Sequence, residues 1–185
     1  MSEESAAAAN VVASEFPTFA YLFDNIFTDY SWEAVESTTD DGYILNSFHI
    51  WKEGAMNQDL PPFFFQHGAF MAADMWMGGQ MTMEGAPNED SFFLRLINKG
   101  HHVYLGNQRG TVYSQGHTTL DKVTQPDQYW SFGFEGYIND ILPQGRAIKE
   151  NANTSVKPIY VGYSMGTLQM LAGLTYLETE IEEVY

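Results

Sequence analysis

The sequence predicts an α/β fold, a mostly parallel sheet with helices on both faces that is introduced by an antiparallel hairpin. Three observations carry this. Phe63-Phe64-Phe65, launched by Leu60-Pro61-Pro62, is a continuous apolar run of the kind found in strands buried on both faces. Strand-like and helix-like stretches alternate from there onward. Near the end, a short apolar stretch through Ile159-Tyr160-Val161 enters Gly162-Tyr163-Ser164-Met165-Gly166 and leaves as the helix-periodic Thr167 to Leu174. That is the strand–turn–helix context of a sharply presented serine.

Taken in order, residues 1–15 are rich in Ala, Ser and Glu and read as frayed or disordered. Phe16, Phe19, Phe23, Ile26 and Phe27 recur at helical spacing, with Pro17 tolerable in the first turn. Without a basic polar face, this helix reads as packed on the domain body more readily than as a membrane-surface or partner-binding one. Asp41-Gly42 between two β-prone runs is a hairpin signal. The Phe63–Phe65 strand breaks at Gln66-His67-Gly68-Ala69, and residues 71–90, rich in Met, Gly and Asn, read as a loop. Phe92, Phe93, Leu96 and Ile97 form a helical face stopped by Asn98-Lys99-Gly100. A strand follows over His101 to Leu105, then an aromatic turn over Tyr129 to Phe134. Asp140 reads as the N-cap of a helix running to about Ala152. The serine helix runs to about Leu177, and the acidic tail beyond it reads as a solvated face. No repeat or long linker divides residues 16–185, which are expected to form part of a single domain.

Composition narrows the functions. The chain has 185 residues, enough for one core, and 24 acidic against 8 basic residues give a net charge of −16. Such a surface repels phosphate backbones and anionic membranes, so no nucleic-acid partner is expected. There is no cysteine, which excludes disulfides and thiolate metal sites. No zinc spacing, Walker loop or dinucleotide fingerprint is present, and neither a metal nor a cofactor is expected. The acidic start and the short Ala6–Ala13 tract, interrupted by Asn10, do not make a secretory signal, and no run is long enough to span a membrane. Asn153-Thr154-Ser155 is a glycosylation sequon that matters only in a secreted chain.

Ser164 is the candidate nucleophile. Glycines at 162 and 166 remove Cβ atoms that so sharp a turn would bring into collision. The backbone N–H of Met165, at the start of the helix, is a candidate oxyanion donor, and the second is expected from Ala69, after the His67-Gly68 strand end. His67-Gly68 reads equally well as an ordinary turn. The base is the difficulty. All five histidines, His49, His67, His101, His102 and His117, precede Ser164. His117, in a Gly/Thr-rich loop, is the least implausible of them. His101 and His102 should point to opposite faces of their strand, and His49 reads as a strand surface residue.

Several runs together resemble a family, the acid lipases of the α/β-hydrolase fold. They are Thr39-Asp40-Asp41-Gly42-Tyr43-Ile44-Leu45, Gln66-His67-Gly68-Ala69, Leu105-Gly106-Asn107-Gln108-Arg109-Gly110, Tyr129-Trp130-Ser131-Phe132, Asp140-Ile141-Leu142-Pro143 and Val161 to Thr167. The resemblance implies an α/β-hydrolase fold truncated after the nucleophile helix, with Ser164 as nucleophile and Ala69 and Met165 as backbone oxyanion donors. It implies a lipid ester as substrate, with at most transient contact at a lipid interface, and a lysosomal or secreted setting. The family's cap, last strands, and catalytic Asp and His would lie beyond Tyr185, so the chain alone is expected to be inactive. A non-catalytic binding or vestigial domain, and a hydrolase of small esters, are the alternatives.

Overall fold

The computed structural model describes residues 15–185, so all but the last residue of the N-terminal stretch expected to be frayed lies outside the described residues. The strands are β1 (Ser31–Thr38), β2 (Tyr43–Trp51), β3 (Phe63–Gln66), β4 (Val103–Gly106), β5 (Gly116–His117) and β6 (Ile159–Gly162). The helices are α1 (Pro17–Asn25), α2 (Met75–Gly78), α3 (Phe92–Asn98), α4 (Pro126–Tyr129), α5 (Phe134–Asn139), α6 (Ile141–Asn151), α7 (Met165–Tyr176) and α8 (Glu178–Val184).

One mixed sheet runs in the order β1-β2-β4-β3-β6, with β5 beside β2. β4, β3 and β6 are parallel, whereas the β1–β2, β2–β4 and β2–β5 pairs are antiparallel. The hairpin turns where Asp41-Gly42 predicts it. Gly42 has φ +96°, and the Tyr43 N–H donates to Thr39 Oγ1 at 2.9 Å. The strand pleat sorts the core into two layers. Phe48, Ile50, Phe65, Val103 and Leu105 face α1 and α3, meeting Phe19, Phe23, Phe93 and Ile97. Phe64, Tyr104 and Tyr160 face the other way, onto Ile148 and Ala152 at α6 and Tyr185. The helices therefore cover both faces, and α1 is packed on the body.

Arg109 ties the site side of this sheet together. It is fully buried, and its Nε donates to Asp140 Oδ1 at 2.7 Å. Its two terminal nitrogens donate to Asp41 at 2.6 and 3.0 Å, and its guanidinium lies 4.2 Å from the Tyr43 ring centroid. The backbone N–H of Arg109 also donates to Asp140 Oδ2 at 2.9 Å. One side chain thus fastens the hairpin, the segment after β4 and the start of α6. This corrects the expected role of Asp140: its carboxylate makes no capping bond, because Arg109 occupies it.

Three further expectations are revised. The strand begins at Val103, and His101 and His102 precede it, with Nδ1 of His101 against Pro61 O and Nδ1 of His102 against His49 Nε2. His49 is buried rather than on the surface, because Glu33 on β1 and His102 enclose it in a chain of two 3.0 Å contacts while Tyr104 stacks on its ring. The acidic tail is α8, whose Ile181 and Val184 are buried while its glutamates face outward.

Two outcomes test these contacts. Arg109→Met strands the buried Asp140 carboxylate and should cost about 3–5 kcal/mol in urea unfolding, as loss of one partner of a buried ion pair does. Burial holds His102 down to about 4, helped by the charge of His49 and opposed by Glu33. The folded value lies below the ordinary 6.5, so stability is complete above that pH and declines as pH falls toward 4, by about 3 kcal/mol. The urea midpoint should follow this window, and His102→Leu should flatten it.

Candidate active site

The parallel strands β3 and β6 end side by side, with Gln66 in register with Gly162. Their C-terminal ends carry the two segments singled out in the sequence. After Gly162 the chain reverses abruptly into α7, and Ser164 has φ +51° and ψ −116°. This is a strained conformation for a residue with a side chain, kept only where the surroundings enforce it. Here they do. The Tyr163 N–H donates to Gln66 O at 3.0 Å, Thr167 Oγ1 to Gly162 O at 2.8 Å and Tyr160 Oη to Gly166 O at 2.7 Å.

The glycines are required by contact. A Cβ on Gly162 would lie 2.6 Å from Thr167 N, and one on Gly166 would lie 2.5 Å from Gln66 O. Gly68 brings the segment after β3 against Ser164, since a Cβ there would lie 3.0 Å from Ser164 Cβ and 3.4 Å from its Oγ. His67-Gly68 is a strand end, and its glycine lies against Ser164.

Ala69 and Met165, from opposite sides of Ser164 in the sequence, both line one cavity of about 820 Å³. Among the turn, loop and cap hydrogen bonds of the described residues, neither the Ala69 nor the Met165 N–H donates to a backbone partner. The Met165 N–H is the first of α7, where the helix end favours negative charge. The cavity wall is largely apolar, with Phe70, Met71, Met75, Val112 and Trp130, and carries Asp74, Gln108, Arg109, Thr111 and Tyr137 as its polar members. Phe70, next to Ala69, is fully exposed and has φ +61°.

The structure does not bring a histidine to Ser164 as a base. Among the described residues none lines the cavity, and His117 accepts the N–H groups of Thr119 and Leu120 in its own turn. His67 is buried beneath the loop, and desolvation lowers its pKa against the pull of the Gly68 carbonyl and Asp74. Among the described residues there is no group of three or more His, Asp or Glu side chains placed to hold a metal. Gln108 and Gln169, which bridge this region at 2.5 Å, escaped the sequence reading. The available signal was Gln169 itself, a lone amide inside the apolar run Leu168 to Leu171.

Two substitutions report on the elbow. Gly166→Ala sets a methyl against two backbone carbonyls and should cost about 2–3 kcal/mol in urea unfolding. Ser164→Gly relieves the strain at φ +51° and should raise stability by about 1 kcal/mol.

Comparison with known proteins agrees with this geometry. Residues 25–80 match the model of the partial α/β-hydrolase lipase region, and residues 61–178 match that of the α/β-hydrolase fold. Triacylglycerol lipase 1 of Arabidopsis thaliana is 32% identical over 148 residues, covering 80% of this chain and 35% of that protein. Lipase member K of Mus musculus is 30% identical over 141 residues, covering 75% of this chain and 33% of that one. The chain thus spans about a third of the length of these curated relatives. Among solved structures, an esterase of Pyrococcus furiosus superposes with a TM-score of 0.50 at 21% identity, over 84% of this chain and 48% of the other. A fold match that runs through β3, β6 and the serine turn places the chain in the α/β-hydrolase family, with relatives that are acid-lipase-like lipases.

Proposed function

We propose that this chain carries the nucleophile and oxyanion hole of a lipid ester hydrolase. The observation that carries the reading is the strained Ser164, with Gly68 packed against it, between Ala69 and Met165, which line one largely apolar cavity. In this reading Ser164 Oγ attacks the ester carbonyl carbon as its proton passes to a base. The carbonyl oxygen becomes an oxyanion held by the two N–H groups, which are fixed before reaction and so cost no reorganisation. The alcohol departs with a proton, and water then attacks the acyl-serine to release the fatty acid.

The apolar wall and the relatives' names support an acyl chain rather than a small polar acid as the bound group. In this reading the base and its orienting acid come from sequence outside these 185 residues. Among the described residues no helix is long and apolar enough to cross a membrane, and contact with lipid is proposed to be interfacial.

An alkyl organophosphonate tests the reading. A single covalent adduct at Ser164, absent from Ser164→Ala, is expected in a protein that includes this chain and the remaining length of its relatives. Labelling at another residue contradicts it. If Ser164 stays unlabelled in that longer protein, the domain is non-catalytic.

A further inference from the structure

Beneath the two oxyanion donors runs an unbroken set of buried hydrogen bonds through side chains to which the proposed chemistry gives no role. Gln169, on α7 five residues after the nucleophile, is fully buried, and its Nε2 donates to Tyr137 O at 2.7 Å. Its Oε1 accepts from Gln108 Nε2 at 2.5 Å. Gln108, in the segment after β4, also donates from Nε2 to His67 O at 3.1 Å, and its backbone N–H donates to His67 Nε2 at 3.2 Å. His67 is fully buried, and its Nδ1 lies 2.8 Å from Gly68 O.

These partners determine the protonation of the ring. Nε2 faces an N–H and must accept, so the proton sits on Nδ1 and is donated to Gly68 O. A second proton on Nε2 would point at the Gln108 N–H, and burial already disfavours it. The described peptide bonds are all trans. In a planar trans peptide the C=O and N–H point in opposite directions. With the Gly68 carbonyl held toward the His67 ring, the Ala69 N–H of the same peptide faces away from that ring.

We propose that Gln108 and Gln169 are positioning residues: their side chains fix the His67 carbonyl and the segment that carries residue 108, whose backbone N–H holds His67 in its Nδ1–H form, so that the Gly68–Ala69 peptide keeps its N–H aimed at the oxyanion. The inference rests on the proposed hydrolase reading for its purpose, but the network it describes stands on geometry alone. Gln169 also links the two donors, since it sits on the helix whose first N–H is that of Met165.

Ring 15N NMR of the 185-residue chain reads the network without any need for activity. At pH 7 His67 is expected as a neutral Nδ1–H tautomer with Nε2 as acceptor. An Nε2–H or cationic ring overturns the proposal, and this measurement needs no variant to fold. Gln108→Met and Gln169→Met preserve length and approximate volume while removing the side-chain bonds. Each keeps the backbone N–H of residue 108 but frees the segment that carries it, and should turn the single tautomer into an averaged pair, with the β3 and β4 amide signals retained. An unchanged tautomer in both overturns the proposal. In the longer, reactive protein, phosphonate labelling of Ser164 should slow at least tenfold in both variants, and equal rates overturn the positioning role. If the unsubstituted protein does not label while the NMR pattern is as expected, the hydrolase reading fails and the network stands.

Discussion

The carbonyl oxygens of Gln66 and His67 occupy the space into which a side chain at residue 166 would project, at 2.5 and 2.8 Å from a Cβ built there. That contact sets how closely the N-terminus of α7 approaches the end of β3. Because α7 comes so near, the chain between Gly162 and Met165 has no room for an ordinary turn, and Ser164 is driven to positive φ. Because β3 ends there, the segment that follows it, Gly68-Ala69, lies against the serine. A single close approach therefore supplies the strained conformation of Ser164 and sets Gly68 against it. The strain costs stability, and the bonds from Tyr163, Thr167 and Tyr160 across the turn offset it.

Two buried polar assemblies hold this junction from either side. Arg109 and its two aspartates fasten the hairpin and α6 to the segment after β4, and the His67–Gln108–Gln169 chain fastens that segment to β3 and α7. Residues 108 and 109 are adjacent, so the peptide between them is shared by both assemblies. Burial works against the Arg109 guanidinium, but the hydrogen bonds to Asp41 and the charge of Asp140 outweigh it and raise its pKa above the usual range. On the outer side, α7 is unusual in what it covers: Gly166, Gln169 and Gly173 are buried, while Leu168, Leu171 and Leu174 are exposed. The small buried residues are what permit the close packing against β3 and Ile181.

Much of this was legible from residue patterns. The hairpin at Asp41-Gly42, the buried Phe63–Phe65 strand and the turn at Ser164 each rest on local sequence that admits few alternatives. The lipase resemblance drew on runs such as Gly106-Asn107-Gln108-Arg109-Gly110, whose glycines and arginine meet specific neighbours in the structure. What was missed depends on contacts between residues distant in sequence. His49 alternates as a surface residue should along β2, yet Glu33 and His102, 16 and 53 residues away, bury it. Asp140 stands where an N-cap would, but a residue 31 positions earlier claims its carboxylate. The α8 tail looks solvated by charge, and only the placement of α6 and α7 gives Ile181 and Val184 something to cover.

The central claim is that the N–H groups of Ala69 and Met165 converge on the position where charge develops at a carbonyl attacked by Ser164. A crystal structure with an alkyl phosphonate bound covalently to Ser164 measures this most directly, since the phosphonyl oxygen stands in for the oxyanion. The account predicts that oxygen within about 2.7–3.1 Å of both nitrogens. A phosphonyl oxygen directed into solvent, or held by other donors, would contradict it.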